Sequence, residues 1–176
     1  MSTVDDLHRV EGRAELIGGV IVHLGGGGRY PSQIEARIMR GLHNRAEAIG
    51  EGEAYTGGIA FVVPRLRSGR QTFSPNTSYY LGPFPANPMS FIEGPPTFAV
   101  EVRSENDYGR AAEREMAAKR TDYFEAGTLA IWNVDPVAET VRSYRVDGDS
   151  TFARGQKADA SPALPGWSMA VDRIFG

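Results

Sequence analysis

Glu101 is the residue of this sequence that most demands a chemical explanation. It lies in TFAVEVR (97–103), where Phe98, Val100 and Val102 face one way and Ala99, Glu101 and Arg103 face the other. A carboxylate alternating with core valines costs free energy unless it is paired, hydrogen-bonded or bound to a metal. On composition alone, a solvent-facing side or an ion pair with a neighbouring arginine explains it as well as a functional role. Asn76 raises a related question. It sits in FSPNTSYY (73–80), which alternates like a strand, with Phe73, Pro75, Thr77 and Tyr79 on one side and Ser74, Asn76, Ser78 and Tyr80 on the other. Lys119, taken alone, is a solvated lysine pairing with Glu115 one helical turn earlier. Other candidates are weaker. His8, His23 and His43 share no metal-ligand spacing. Ser74 and Ser104 have no histidine near them in sequence to activate a hydroxyl. The four glycines 25–28 are followed by Arg-Tyr-Pro rather than the Gly-Lys-Ser/Thr of a phosphate-cradling loop, and read as a flexible connection.

The elements that must position these residues are legible in outline. RAELIGGVIVHL (13–24) reads as a hairpin turning at Gly18-Gly19, a pair that tolerates positive φ. A loop over 25–30 leads to a helix over 32–49. Ser32 and Glu35 form a capping box, Ile34, Ile38, Leu42, Ala46 and Ile49 form the buried stripe, and Gly50 ends it. A strand over 53–64 closes at Pro64, a polar turn covers 65–71, and 73–80 is the next strand. The Pro-rich stretch 82–96 predicts an extended surface loop. The strand 97–103 and the turn 104–110 precede a helix over 110–126, stopped by Gly127. Ala112, Met116 and Tyr123 define the buried side of that helix, with Lys119 and Arg120 flanking it. An apolar strand over 128–136 pairs with 140–146, and the tail 164–175 holds a short strand and a last helical turn. This order predicts an α/β (α+β) fold with a mixed central sheet and a helical crossover between 97–103 and 128–134.

Composition sets the outer bounds. The 176 residues suffice for one domain, residues 1–176, with a sizeable core. No apolar run approaches the roughly 20 residues of a membrane span, and the N-terminus MSTVDDLHRVEGR does not read as a signal peptide. The absence of cysteine excludes disulfides and thiolate metal sites, and leans toward a cytoplasmic location. A net charge of −3 does not favour nucleic-acid binding, although a local basic patch stays compatible with it.

The segment FAVEVRSENDYGRAAEREMAAKRTDYFEAGTLAIWNVDP resembles the core of the Uma-two family, bacterial proteins with a restriction-endonuclease-like fold of the PD-(D/E)XK class. The motif positions are Glu101-Val102-Arg103-Ser104, Lys119, Tyr123, Ala126-Gly127 and Trp132-Asn133-Val134-Asp135-Pro136. Weaker matches at Glu15 to Gly18 or Gly19, in helix 32–49 and in the ending LPGW extend the resemblance over nearly the whole chain. It implies Mg²⁺- or Mn²⁺-dependent hydrolysis of DNA phosphodiester bonds. Glu101 would be one metal ligand. The other would be the family's aspartate after proline, which is Asn76 after Pro75 here. The lysine that usually follows the glutamate by two residues is Arg103, so Lys119 becomes the implied catalytic cation and Arg103 its rival. Glu15 is the accessory carboxylate.

An amide at 76 predicts a weak or absent metal site, because a neutral ligand forfeits several kcal/mol of attraction at an effective dielectric near 20. Three accounts are open: a degenerate nuclease that kept the fold, another carboxylate such as Glu15, Glu93 or Asp107 filling the gap, or an amide introduced into the chain. The alternative to an enzyme is a nucleic-acid-binding or protein-interaction module on the same fold. DNA is the implied partner, and a homodimer is the common form of nucleases that cut both strands.

Overall fold

The computed structural model describes all 176 residues. A one-turn helix α1 (Val4–Leu7) precedes the hairpin β1 (Ala14–Ile17) and β2 (Val20–His23), followed by the long helix α2 (Arg29–Ile49). Six strands come next: β3 (Glu53–Thr56), β4 (Phe61–Val62), β5 (Thr72–Phe73), β6 (Thr77–Tyr80), β7 (Ile92–Glu93) and β8 (Phe98–Val102). Helix α3 (Arg110–Ala126) leads into β9 (Ala130–Asp135), β10 (Thr140–Arg145), β11 (Gly148–Phe152), β12 (Lys157–Asp159) and β13 (Ser168–Ala170), and α4 (Val171–Phe175) ends the chain. No helix is long and apolar enough to cross a membrane.

The central sheet has six strands in the order β11-β10-β9-β8-β6-β3. Only β8 and β9 run parallel, with Glu101 opposite Asn133, and α3 supplies the crossover between them. The other pairs are antiparallel, so the sheet is mixed. Strand alternation sends β8 into two cores. Phe98, Val100 and Val102 pack under α2 and α4 with Trp132 and Tyr79. Ala99 packs on the other face with Tyr123 of α3, Ile131 and the small sheet β5-β4-β7. Ile34, Ile38 and Leu42 of α2 are fully buried, each worth about 1.5–3 kcal/mol of transfer free energy. A helix-bearing layer therefore covers each face of the sheet.

Several expected boundaries move. Helix α2 begins at Arg29, with Gly28 as its cap and no capping box. Pro31 falls in the first turn, where a missing N–H is harmless, and the helix starts ahead of it. Ile49 is 42% exposed and leaves the buried stripe. The expected strand 53–64 breaks at Gly57-Gly58 into β3, on the edge of the central sheet, and β4, in the small one. A Cβ at Gly57 would lie 2.6 Å from Arg13 Nε, so a larger residue there would have to displace that side chain. The expected strand 73–80 breaks likewise into β5 and β6 around Ser74-Pro75-Asn76, where Pro75 offers no N–H to a ladder. Its two-sided alternation fails as well: residues 72–80 are all buried, because layers cover both faces. The surface loop 82–96 contains the short strand β7. On α3 the fully buried residues are Asp122 and Tyr123, while Ala112 and Met116 are only half-buried. Strands β11 and β12 and helix α1 have no counterpart in the sequence reading.

Candidate active site

The site forms where the second turn of α2 and the C-terminal half of α3 meet the end of β8. Antiparallel pairing sets Thr77 opposite Val100, which brings Asn76 level with Glu101 one step further on. Asn76 is fixed at both ends of its amide. Its Oδ1 accepts from the Val102 backbone N–H at 2.9 Å, and its Nδ2 donates to Glu35 Oε1 of α2 at 2.7 Å. Glu101 leaves β8 on the opposite face, toward α3. One of its oxygens, Oε1, accepts from the Tyr123 hydroxyl at 2.7 Å and pairs with Lys119 Nζ at 2.7 Å. Lys119 and Tyr123 are one helical turn apart on α3, so both reach the same carboxylate.

Glu15 arrives from the hairpin. The β1 backbone docks along residues 69–72: Leu16 N–H donates to Thr72 Oγ1 at 2.8 Å, and Gln71 N–H donates to Leu16 O at 2.9 Å. Strand alternation then turns Glu15 inward, where it is 2% exposed. It accepts from Ser74 N–H at 2.9 Å and pairs with Lys119 at 2.9 Å and with Arg70 Nη1 at 2.5 Å. Arg70 Nε donates to Asp122 Oδ2 at 2.9 Å. A continuous chain of charges runs Asp122, Arg70, Glu15, Lys119, Glu101, with the Tyr123 hydroxyl at its end.

The electrostatics follow from this arrangement. Burial pushes the Glu15 carboxyl up, but Lys119, Arg70 and the Ser74 N–H outweigh it and hold the group at about 2, from an ordinary 4.5. Burial works against the Lys119 ammonium, yet Glu101 and Glu15 raise its pKa above the usual lysine value. Tyr123 is pushed well up, by burial and by the same two carboxylates. Glu35 behaves differently. Burial raises its pKa and the charge of Glu101 adds to that, against smaller opposing effects of Arg13 and the Asn76 amide.

The structure thus brings together Glu101, Lys119, Glu15 and Asn76. Arg103 stands apart from them. It pairs with Glu113 at 2.6 Å and donates to Asp107 O at 2.9 Å, with its guanidinium 5.2 Å from the centre of the Tyr108 ring. Asp107 caps Ser104 through the Ser104 N–H and hydroxyl, and Glu93 is exposed on β7, so neither completes the site. Two members escaped the sequence reading. Glu35 was assigned to a cap, although its place beside Ile34 and one turn before Ile38 set it at the margin of the buried stripe. Arg70 read as part of a polar turn, and nothing in its neighbourhood signals burial.

A hard divalent cation fits this donor set in part. Glu101 and Glu35 each have one oxygen outside the hydrogen bonds described, and Asn76 Oδ1 has a second lone pair. No three His, Cys, Asp or Glu side chains converge into a ready metal-holding group.

Comparison with known proteins shows the family and the fold. The sequence profile of Uma2, described as "Putative restriction endonuclease", matches residues 4–172, and the chain belongs to that family. The fold is similar to the crystal structure of "a putative nuclease belonging to DUF820" from Anabaena variabilis. That match has a TM-score of 0.78 at 16% identity and covers 99% of this chain and 98% of that one. No curated protein matches the sequence.

Proposed function

We propose that this protein is a DNA endonuclease of the restriction-endonuclease-like kind, with Glu101, Lys119 and Asn76 as its working centre and hydrolysis held low by the amide at position 76. The observation behind this reading is the Lys119 ammonium, 2.7 Å from Glu101 Oε1 although it comes from the following helix. That is the carboxylate–lysine pair of the nuclease motif, rebuilt from a different place in the chain. Mg²⁺ or Mn²⁺ is the cofactor that such a centre implies, and Glu101, Asn76 Oδ1 and, on the α2 side, Glu35 would hold it. When bound, the ion polarises the phosphoryl oxygen and acidifies the water that attacks it.

The protein's own groups do the rest. Tyr123 and Lys119 take one oxygen of Glu101 and so fix the direction of the other. Lys119 stays charged and offsets negative charge as it builds on the phosphoryl oxygens. Glu15 holds Lys119 in place and remains ionised across neutral pH. Asn76 keeps the oxygen that the Val102 N–H orients but supplies no charge, and this weakens the cation's hold by several kcal/mol.

Calorimetric titration of Mn²⁺ into the protein and into Asn76→Asp tests the reading, alongside plasmid nicking by both. The expected result is weak binding and slow nicking by the protein, and tight binding with at least ~100-fold faster nicking by the variant, as several kcal/mol requires. Absence of binding and nicking in both overturns it. The second reading, a nucleic-acid-binding module on the same fold, would then stand, since Asn76 already satisfies both Val102 and Glu35 without an ion.

A further inference from the structure

A groove of about 490 Å³ opens directly beside the site, between α2 and the edge formed by β3 and β6. Glu35 and Asn76 belong both to this groove and to the site. On the helix wall it extends from Ser32 to His43, about 16 Å at 1.5 Å per residue. Arg40 lies on this wall, exposed, and makes no ion pair with any carboxylate. His43 follows at helical spacing, its Nε2 3.3 Å from Glu47. The other arginines of the helix's middle are spoken for: Arg37 donates to Ile174 O and Arg45 to Pro165 O. Met39 gives the wall an apolar face beside Arg40 and His43. On the sheet wall, Thr77 is 1% exposed, and its hydroxyl has no hydrogen-bond partner. An unpaired buried hydroxyl is a cost that a ligand's polar group would relieve.

We infer that this groove is a subsite for a single strand of nucleic acid. Arg40 and His43 take phosphates next to the scissile one, and the Thr77 hydroxyl with the Met39 face takes the nucleoside between them. The inference rests on the nuclease reading and extends it to the form of the substrate. One exposed arginine suits a single backbone, whereas a duplex lying across the protein would call for a broader basic footprint than this groove's one arginine. Polar and apolar groups in one narrow groove match a nucleoside, which offers hydrogen-bonding edges and a flat apolar face.

The test is fluorescence anisotropy of labelled dT and rU ten-mers and of a ten-base-pair duplex, in EDTA to silence cleavage. It compares the protein with Arg40→Ala, Thr77→Val and, as a control far from the groove, Arg145→Ala. Single strands are expected to bind more tightly than the duplex, with a log–log salt slope near −0.7, for the one phosphate that Arg40 neutralises. Arg40→Ala removes that slope and weakens binding ~10-fold. Thr77→Val weakens binding roughly threefold while the urea midpoint holds or rises, because the hydroxyl it removes is unpaired in the free protein. Arg145→Ala changes nothing, and a preference for either sugar supports the subsite.

Equal binding of duplex and single strand, or Arg40→Ala and Thr77→Val variants that bind like the parent, overturns the inference. A Thr77→Val variant that loses stability instead of affinity does the same. Should Asn76→Asp cleave DNA while Arg40→Ala and Thr77→Val are silent, the subsite alone falls. If no oligonucleotide binds and Asn76→Asp cleaves nothing, the nuclease reading falls with it.

Discussion

The two sides of the site solve the problem of buried charge in opposite ways. On the α3 side, three carboxylates (Asp122, Glu15, Glu101) are threaded on two cations (Arg70, Lys119), and every neighbouring contact is an ion pair between 2.5 and 2.9 Å. On the α2 side, Glu35 has a neutral amide for its hydrogen-bond partner and a groove open beside it. The first side is complete when the chain folds, and its geometry is held by the chain's own charges. The second is compensated less, since burial of Glu35 outweighs the Asn76 amide and the charge of Arg13. Positioning groups belong on the closed side, where they cannot drift. Exchangeable groups belong on the open one.

The largest way to break this comparison is to remove a cation from the closed side. Arg70→Met leaves Glu15 and Asp122 buried without their shared partner, and a loss of about 3–5 kcal/mol in urea unfolding is expected. A loss below ~1 kcal/mol would mean that the closed side is not held by its ion pairs.

Acid probes the same side more gently. The Glu15 carboxyl is depressed in the folded protein, so its stabilisation is present above the ordinary 4.5 and is lost as pH falls toward about 2. At 1.36 kcal/mol per unit the loss is on the order of 3 kcal/mol. Urea melts at pH 7 and pH 3 should show about 2 kcal/mol of it, since pH 3 lies only about 1.5 units below the ordinary value, and Glu15→Gln should flatten that limb.

The open side should respond less and with the opposite dependence on ligand. Without metal, Asn76→Asp sets an oxygen against Glu35 Oε1 where an N–H donates now, which should cost about 1–2 kcal/mol at pH 8. Mn²⁺ should restore the loss in the same thermal melt by binding only the folded form. The smallest effect is expected for Glu35→Gln. The folded pKa of Glu35 is raised, so the stability tied to its protonated form is full below 4.5 and is lost as pH rises. Removing the charge removes that loss, and the variant should lie within about 1 kcal/mol of the parent and gain on it between pH 5 and pH 8.

What could be read in advance divides along physical lines. The hairpin at Gly18-Gly19, the stripe Ile34, Ile38, Leu42 and Ala46, the helix ending at Gly127 and the parallel pair around it were legible, because each rests on local periodicity or on a turn that few residues tolerate. Glu101 and Lys119 were legible as a motif. Glu35 was misread as a cap because its partner, Asn76, lies on a distant strand. Arg70 was invisible, because a polar turn becomes buried only when β1 docks along it.

The sequence by itself determined the family and the mixed α-and-β order of elements. Which cation faces Glu101 was decided only by the tertiary structure. Lys119 and Arg103 were equal candidates by charge, but Lys119 points from α3 across the end of β8 toward Glu101 and Glu15, whereas Glu113 and Asp135 draw Arg103 away. That choice depends on through-space attraction between residues far apart in the chain, and spacing alone does not encode it.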